Sequence, residues 1–408
     1  MGMNETPSGE RIQIGIFGKT NAGKSSLINA ITGQDLAIVS KVKGTTTDPV
    51  KKAMELLPLG PVVLIDTPGL DDESVLGQQR MEKSIQMLRM TDVALFVVDV
   101  MDENFDLEKE LLQQAKEKHQ RYLIVVNKVD EVKANQEFLD NKKEQIVKEF
   151  GVEKDAIYFV SARNHTGIHG LKEQIAQRAP KEKEQPLVRD LLKQNDVVVL
   201  VVPIDSAAPK GRLILPQQQV IRDVLEAGAI PVVTKETQLL ETLDALKVKP
   251  RMVITDSQAF GVVAKQLSSD IPLTSFSILM ARYKGDLTTQ IEGAKSIENL
   301  QDGDKVLISE GCTHHRQCED IGTVKMPKWI SDYTGKQLEF VFTSGGEFPQ
   351  DLSPYALVVH CGGCTLPVGE MRYRISQGKT KHTPITNYGV MIAYIHGILP
   401  RVVAPFEK

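Results

Sequence analysis

A glycine-rich segment near the start of the chain has the residue types and spacing that bind phosphate. Residues 18–25 read Gly-Lys-Thr-Asn-Ala-Gly-Lys-Ser and match the pattern G-x-x-x-x-G-K-[ST]. Small residues let backbone N–H groups curl around phosphate oxygens, and the N-terminus of a following helix favours an anion. We expect Lys24 to bind the β- and γ-phosphates and the Ser25 hydroxyl to bind Mg²⁺. The residues predicted to contact the nucleotide here are Gly18, Lys19, Thr20, Asn21, Ala22, Gly23, Lys24, Ser25 and Ser26.

A second phosphate-site motif, Asp66-Thr-Pro-Gly69, follows the apolar run at 62–65. We expect Asp66 to hold Mg²⁺ through water and the Gly69 N–H to sense the γ-phosphate. The next residue is Leu70, which cannot orient a nucleophilic water as a glutamine does, so intrinsic hydrolysis should be slow. Glu73 is a candidate substitute, and a solvated acidic turn is the alternative reading. Lys24, Asp66 and Gly69 are therefore predicted to take part in catalysis.

Two further motifs end later apolar runs and concern the base. Asn127-Lys128-Val-Asp130 follows one run, and Ser161-Ala162 follows the next. The Asp130 carboxylate can accept hydrogen bonds from N1–H and N2–H of guanine, a pair of donors that adenine lacks. The two phosphate motifs and then these two base motifs follow one another in the order that predicts GTP binding. Asn127, Lys128, Asp130, Ser161 and Ala162 are therefore predicted nucleotide contacts.

All four cysteines lie within 53 residues in the last quarter of the chain. Cys312 and Cys318 come first, and Cys361-Gly-Gly-Cys364 follows His360. Clustered cysteines in a large intracellular chain indicate metal or redox chemistry more than a disulfide framework. Thiolates at C-x-x-C spacing bind a tetrahedral zinc or an iron–sulfur cluster, and the residue types alone leave both metals open.

The elements that must position these residues alternate in type along the chain. Apolar runs at 12–17, 62–65, 93–98, 122–126 and 157–160 predict buried strands, and amphipathic stretches at 78–90, 108–119 and 137–150 predict helices between them. This alternation is typical of a parallel sheet covered by helices. A charged segment with two prolines at 180–186 predicts a linker. Apolar runs at 196–203, 230–234 and 252–255 predict the strands of a second, small parallel sheet without a nucleotide motif. The sequence pattern changes again near residue 271, beyond which all the cysteines lie.

Composition restricts the class of protein. The chain has 408 residues, 41% hydrophobic and 25% charged, with a net charge of −4. Two to four domains are expected at this length. The nearly balanced charge gives no basic patch for nucleic acid or an anionic membrane. The N-terminal residues lack a basic and apolar leader, and no apolar run approaches ~20 residues, so we expect a cytoplasmic protein with no membrane segment.

The GTPase motifs resemble those of the tRNA-modifying enzyme TrmE and its relatives. Residues 18–27 fit the subgroup pattern G-x-x-N-A-G-K-S-S-L, and residues 44–48 fit its switch motif G-T-T-x-D. The resemblance implies that Thr46 is a Mg²⁺ ligand in the catalytic site. It also implies activation by K⁺, held by Asn21 and by carbonyls near residues 39–42, in the role that an arginine finger has elsewhere.

The order of the three segments, together with the cysteine pattern, resembles the [FeFe]-hydrogenase maturation GTPases of the HydF family over essentially the whole chain. Cys312-Thr-His314, 45 intervening residues and His360-Cys361-Gly-Gly-Cys364 fit that family's cluster motif. The resemblance implies a [4Fe–4S] cluster held by Cys312, Cys361 and Cys364, with an exchangeable fourth position. The candidates for this position are His314, His360, His315, Glu319 and Cys318.

The sequence thus predicts an α/β protein of three domains. These are a P-loop, TrmE-like GTPase domain at 1–179, a small parallel-sheet α/β dimerisation domain at 180–270, and a C-terminal α/β cluster-binding domain at 271–408. The resemblance implies a GTP-hydrolysing scaffold, a homodimer, that delivers a diiron precursor to apo-[FeFe]-hydrogenase, with the radical-SAM maturases HydE and HydG as partners. A GTPase acting on tRNA or the ribosome with a zinc domain, and a GTP-regulated redox protein with four cluster ligands, are the alternatives.

Overall fold

The structure is a computed structural model that describes residues 8–33, 49–69, 75–132, 136–180, 186–204, 213–312 and 320–407. The chain divides into two compact units, Met1–Glu182 and Lys183–Lys408. None of the helices in these described ranges has the length and apolar character needed to cross a bilayer.

The first unit is a six-stranded sheet with strand order β2-β3-β1-β4-β5-β6. The strands are β1 (Ile12–Phe17), β2 (Val50–Leu56), β3 (Gly60–Asp66), β4 (Val93–Asp99), β5 (Arg121–Asn127) and β6 (Ile157–Phe159). The helices are α1 (Lys24–Thr32), α2 (Val75–Arg89), α3 (Asp106–Glu117), α4 (Gln136–Phe150) and α5 (Ile168–Arg178). The parallel arrangement of β1 and β3–β6 confirms the predicted α/β fold.

Strand β2 departs from the predicted all-parallel sheet, because it pairs antiparallel with β3 at the edge. Its sequence, Val-Lys-Lys-Ala-Met-Glu-Leu, is charged and mostly exposed. An edge strand needs no continuous apolar run, so the pattern that predicted the buried strands could not find it.

The central strands form the core of this unit. The side chains of β4 from Val93 to Val98 are fully buried, and the rings of Phe17 and Phe96 stack with centroids 5.7 Å apart. Full burial of each valine, leucine or phenylalanine side chain stabilises the fold by ~1.5–3 kcal/mol. This core fixes the carboxyl ends of β1, β3 and β5, where three of the nucleotide motifs begin.

The second unit contains two four-stranded sheets, and the first has the order β10-β9-β7-β8. Its strands are β7 (Val197–Val201), β8 (Ile230–Thr234), β9 (Met252–Thr255) and β10 (Leu273–Ser275), all parallel. Its helices are α6 (Leu215–Glu226), α7 (Leu239–Ala245), α8 (Phe260–Gln266) and α9 (Phe276–Lys284). Strand β10 lies beyond residue 270, so a domain boundary there, as predicted from the sequence, would cut through this sheet.

The last sheet has the order β12-β11-β13-β14 and is also parallel. Its strands are β11 (Lys305–Glu310), β12 (Glu339–Ser344), β13 (Leu357–His360) and β14 (Ile385–Asn387). Its helices are α10 (Leu287–Lys295), α11 (Met326–Thr334), α12 (Val368–Thr380), α13 (Tyr388–Ile395) and α14 (Leu399–Val403), and a π-helical turn at Ile321–Lys325 precedes α11. The two sheets share one hydrophobic core that includes Val199, Phe260, Ile308 and Val359.

Candidate functional site

The phosphate-binding segment forms the turn between β1 and α1, as its sequence predicts. Gly23 caps α1 with φ of 90°, a left-handed conformation that favours glycine. A Cβ atom at Gly23 would also lie 2.2 Å from the side-chain nitrogen of Asn127. Both the backbone angle and the close approach therefore require glycine at this position.

Lys24 lies inside this turn. Its Nζ donates to the carbonyl oxygens of Gly18 (2.9 Å) and Lys19 (2.8 Å), and the residue is 7% exposed. The ammonium group is thus held at the centre of the loop by main-chain acceptors. That position suits a point charge that binds the phosphates of a nucleotide.

Ser25 and Asp66 meet across the site. The Ser25 Oγ donates to Asp66 Oδ2 at 2.9 Å. Asp66 Oδ1 is buried, and within the described residues it has no hydrogen-bond partner. Burial raises the pKa of Asp66, while the Ser25 hydroxyl and the charge of Lys24 oppose that rise. A hydroxyl and a buried carboxylate with a spare oxygen are hard oxygen ligands, and they fit Mg²⁺.

Asn127 is held by hydrogen bonds at both ends of its side-chain amide, and its contact with the base stays a prediction. The residue is 1% exposed, its Nδ2 donates to Ala22 O (3.1 Å), and its Oδ1 accepts from Ala162 N (3.0 Å). The amide group therefore ties the phosphate-binding turn to the loop after β6. Asn127 is 105 positions from Ala22 and 35 positions from Ala162 in the sequence, so sequence spacing could not reveal these contacts.

Asp130 lies half-buried at the end of the Asn127–Asp130 motif. Its Oδ1 accepts a hydrogen bond of 2.5 Å from Ser161 Oγ, which in turn accepts from Asn164 N at 3.0 Å. Lys128 has φ of 65° and pairs with Asp99 at 2.6 Å. Ser161 thus orients the predicted guanine-binding carboxylate.

Glu108 in α3 is a residue of this site that the sequence analysis missed. It is fully buried, and its Oε1 accepts from the Lys19 backbone N–H at 3.0 Å. Its Oε2 lies 4.0 Å from Lys19 Nζ, which also donates to the Asn104 carbonyl. Burial raises the pKa of the Glu108 carboxyl. A signal was present, because Glu108 shares the apolar face of α3 with Leu111, Leu112 and Ala115 at helical spacing.

The remaining predicted nucleotide contacts are placed as follows. Asn21 is exposed with φ of 64°, Thr20 and Ser26 are half-buried, and Gly69 lies directly beside Thr20. Several predicted positions lie outside the described residues. These are Thr46, the carbonyls near 39–42, Leu70, Glu73, His314, His315, Cys318 and Glu319.

The other predicted site lies at the carboxyl ends of β11 and β13. These strands pair in parallel with Ser309 opposite His360, and Cys361 N donates to Ser309 O at 2.9 Å. Cys312 follows β11 and Cys361 follows β13, so neighbouring strands deliver both residues to the same edge of the sheet. The cysteine pair of the C-x-x-C motif and Cys312 are thus brought together by topology.

The three cysteines that the structure describes are thiols that form no disulfide with one another. The Cys361 Sγ accepts from the backbone N–H groups of Gly311 (3.0 Å) and Gly363 (3.3 Å). Burial, followed by the proximity of the Cys312 and Cys364 sulfurs, raises the pKa of Cys361 to about 12. A thiol that binds a metal must lose its proton, and the two N–H donors favour the thiolate.

The metal centre itself is not formed by the described residues. Outside the segment 313–319 and the other gaps, no three His, Cys, Asp or Glu side chains are arranged to hold a metal ion. In chemical type, the three thiols at this edge and the N–H donors to Cys361 are nevertheless the groups that a thiolate-bound metal requires. Their chemistry fits either zinc or an iron–sulfur cluster.

The turn between Cys361 and Cys364 depends on one of its two glycines. Gly363 has φ of 59°, and a Cβ there would lie 2.5 Å from Met371 Sδ. The Thr365 hydroxyl donates to Gly311 O at 2.8 Å, which joins this turn to the loop after β11. At Gly362, by contrast, a Cβ would make only ordinary contacts.

His360, one of the candidate metal ligands of the sequence analysis, has a hydrogen-bond partner at each of its ring nitrogens. It is 1% exposed, and its Nε2 accepts from Arg374 Nη1 at 2.9 Å. Since arginine can only donate, the ring proton is on Nδ1, which bonds the Cys361 carbonyl at 2.7 Å. Burial and the Arg374 charge lower the pKa of His360 to about 3. The neutral ring uses both nitrogens to position Cys361.

Arg374 completes this network from α12. It is fully buried and donates to Glu370 Oε1 (2.8 Å) and to the Gly345 carbonyl (2.9 Å). It also lies over the Phe348 ring, 4.8 Å from the centroid. The sequence analysis predicts no helix at 368–380, so the ion pair between Glu370 and Arg374, four residues apart, was missed.

Comparison with known proteins assigns a family model to each part of the chain. Residues 13–128 match a model described as "50S ribosome-binding GTPase". Residues 187–285 match "Hydrogen maturase F dimerization domain", and residues 288–405 match "Hydrogen maturase F tetramerization domain". The last two models together span more than half of the chain. The first unit is therefore a GTPase domain, and the second carries the two oligomerisation domains of one family.

Individual relatives match the GTPase part. GTPase Der of Sulfurimonas denitrificans is 32% identical over 185 residues, which cover 45% of this chain and 35% of that protein. The tRNA modification GTPase MnmE of Aquifex aeolicus is 33% identical over 178 residues, 43% of this chain and 36% of that protein. The chain thus spans about a third of the length of these relatives.

The solved structures that match the chain have low TM-scores and low sequence identity. A structure of an Aquifex aeolicus Era variant bound to GDP·AlF₄⁻ has a TM-score of 0.38 at 20% identity and covers 58% of this chain and 98% of that one. A probable GTP-binding protein engB has a TM-score of 0.35 at 21% identity, with 41% and 97% covered.

Proposed function

Because the chain belongs to the hydrogen maturase F family, we propose that it is a GTP-hydrolysing scaffold or carrier in the assembly of [FeFe]-hydrogenase. It would receive a diiron subcluster precursor and deliver it to the apo-hydrogenase. The observation that carries the proposal is the presence, on one chain, of a GTPase domain and of three thiols brought to one sheet edge.

In the GTPase domain we assign GTP and Mg²⁺ to the turn between β1 and α1. Lys24 would bind the phosphates, and Ser25 and Asp66 would hold Mg²⁺, supported by the spare buried oxygen of Asp66. Asp130, oriented by Ser161, would select guanine. K⁺ held by Asn21 would assist hydrolysis, consistent with the exposed, left-handed Asn21 at the rim of the turn.

In the cysteine site we assign a [4Fe–4S] cluster to Cys312, Cys361 and Cys364. The N–H groups of Gly311 and Gly363 would stabilise the Cys361 thiolate. The chemistry that such a cluster supplies is an iron whose fourth position can be exchanged, which suits a temporary attachment of cargo. With His360 engaged elsewhere, His314 and Glu319 are the retained candidates for that fourth position.

The homodimer is assigned to the first sheet of the second unit, whose family model is a dimerisation domain. Strand β8 is an edge strand, with Ile230 48% and Val233 47% exposed. A second copy could continue this sheet across β8 and bury both side chains. HydE, HydG and the apo-hydrogenase are proposed as further partners. Loss of the γ-phosphate would change the affinity for one of them through the residues next to Thr46 and Asp66.

A GTPase acting on RNA with a zinc domain is the competing function, favoured by the tRNA-modifying and ribosome-associated relatives of the first unit. Metal analysis and EPR of anaerobically purified protein, before and after reduction, separate the two. About four irons per chain and a reduced-cluster signal that is lost in Cys361→Ser would support the maturation scaffold. Stoichiometric zinc without iron would contradict it and support the RNA function.

A further inference from the structure

Lys284 is a fully buried lysine at the last position of α9, in the layer that faces the cysteine turn. Its Nζ donates to three backbone carbonyls, those of Gly363 (3.1 Å), Cys364 (2.9 Å) and Leu366 (2.8 Å). These acceptors lie 79 to 82 residues away in the sequence and belong to one turn. The C-x-x-C turn is therefore folded around a single ammonium group.

Burying the Lys284 ammonium costs free energy that its hydrogen bonds must offset. A buried ammonium is destabilising unless its N–H groups are hydrogen-bonded, and an ammonium has three donors. Here the three acceptors all come from the segment that carries Cys364. Since hydrogen bonds to charged groups contribute ~1.5–3 kcal/mol each, the lysine and the turn hold each other in one conformation.

The charge of Lys284 is also felt at the neighbouring thiol. The Lys284 Nζ donates to the Cys364 carbonyl at 2.9 Å, so its charge lies beside the residue that carries the thiol. Arg374 reaches the same turn only indirectly, through His360 and the Cys361 carbonyl. Lys284 is thus a cation in direct contact with the turn, whereas Arg374 acts on it through His360.

We propose that Lys284 is a positioning residue of the cysteine site, which fixes the turn from Cys361 to Cys364 and supplies a fixed positive charge to an anionic metal–thiolate group. The inference rests on the proposed function, because the group is taken to be an iron–sulfur cluster. Three thiolates bring three negative charges, and a fixed buried cation offsets one of them. Reduction adds a further negative charge, so the cation favours the reduced state.

The test compares Lys284→Met, Lys284→Gln and Lys284→Arg with the wild type in the full chain. Lys284→Gln removes the charge but keeps two donors, and Lys284→Arg keeps the charge. Lys142→Met is the matched control, because Lys142 is also buried and donates to a carbonyl, that of Asp102, but in the GTPase unit. Each protein is reconstituted anaerobically with iron and sulfide, and iron per chain, thermal unfolding of the apo form and the EPR-monitored reduction potential are measured.

We expect Lys284→Gln to favour the oxidised cluster about tenfold more than the wild type, a decrease of about 59 mV for one electron. The reduction potential of Lys284→Arg should lie closer to that of the wild type. Lys284→Met should retain less iron per chain, and Lys142→Met should change neither the potential nor the iron content. An unchanged potential and iron content in both neutral variants would overturn the inference while leaving the proposed function intact. A wild type that binds no iron would instead contradict the proposed function.

A measurement on the wild-type apo protein covers the case in which the variants do not fold. If Lys284 fixes the turn before metal binds, the hydrogen-bonded amides of Cys361 and Leu366 should exchange with solvent as slowly as those of β13. Fast exchange of the Leu366 amide, beside slow exchange in β13, would overturn the positioning role, whatever the variants do.

Discussion

The hydroxyl of Ser25 donates a hydrogen bond of 2.9 Å to the carboxylate of Asp66, although 41 residues separate them in the chain. The parallel pairing of β1 with β3, in which Ile16 lies opposite Asp66, brings the two side chains to one edge of the sheet. Asp66 keeps a second, buried oxygen without a partner among the described residues. A hydroxyl and a carboxylate with a spare oxygen are hard oxygen ligands, which supports the Mg²⁺ role proposed for these two residues.

Lys24→Ala should reduce GTP hydrolysis at least about 100-fold, because it removes the charge at the centre of the phosphate-binding turn. The iron content and EPR spectrum of the protein should not change. Steady-state phosphate release and metal analysis measure the two effects. Lys109→Ala, which removes an exposed ion pair with Glu149 in the same unit, is the control and should retain full activity. Loss of iron in Lys24→Ala would show that the two units depend on each other for folding.

Asp130→Asn should shift the nucleotide preference from guanine to xanthine by about 100-fold or more, because the amide can donate to the second oxygen of xanthine. Competition between GTP and XTP in equilibrium binding measures the preference. Ser161→Ala is the matched variant, because it removes the 2.5 Å bond that orients Asp130 but keeps the carboxylate. It should weaken GTP binding about tenfold without changing the preference. An unchanged preference in Asp130→Asn would mean that the base lies elsewhere.

Glu108→Gln should change how the stability of the GTPase unit depends on pH. Burial raises the folded-state pKa of Glu108 above the unfolded value, so the folded state binds the proton more tightly. Stability is then lost as the pH rises through the window between those two pKa values, and the loss persists above it. The glutamine is never charged and can still accept from Lys19 N–H, so it should remove this loss.

The expected result for Glu108→Gln is a rise in Tm of about 2–4 °C at pH 8, which corresponds to about 1 kcal/mol, and no gain at pH 4. Thermal unfolding between pH 4 and pH 8 measures it. A Tm that falls equally at both ends of the range would contradict this account and assign the effect to the Lys19 contact alone.

Replacing K⁺ by Na⁺ should slow GTP hydrolysis severalfold or more, because the smaller ion fits a potassium site poorly. Asn21→Ala should abolish the difference between the two ions while leaving GTP binding largely intact. Phosphate release in matched chloride buffers gives both results. Equal rates in the two salts for the wild type would remove Asn21 from the site.

His360→Gln should retain the iron–sulfur cluster, because the amide can donate to the Cys361 carbonyl and accept from Arg374 as the neutral ring does. Cys361→Ser in the same background should lose it. We expect His360→Gln to lower the free energy of unfolding by about 1–3 kcal/mol through imperfect hydrogen bonds. Iron analysis and EPR line shape are the readouts, and a changed spectrum with normal iron content would restore His360 as a ligand.

The sequence by itself determined the features that depend on short stretches of chain. The turn at 18–25 was predictable because its glycine spacing sets a local backbone shape, and the buried strands β1, β4 and β5 were predictable because strands covered on both faces are continuous apolar runs. The relevance of Cys312, Cys361 and Cys364 was likewise visible in their spacing. Strands β2 and β10 were not found, because one is a charged edge strand and the other has only three residues.

Only the tertiary structure decided which groups face one another at the two sites. Glu108 meets Lys19, Asn127 joins Ala22 to Ala162, and Lys284 holds the turn at Cys364, each across dozens of residues. His360 shows the difference most directly: the cluster motif made it one of five candidate ligands, whereas the structure shows its ring bonded to Arg374. A hydrogen bond depends on distance and direction in space, and sequence spacing fixes these only within one element. Between elements, the packing of the sheets and helices fixes them.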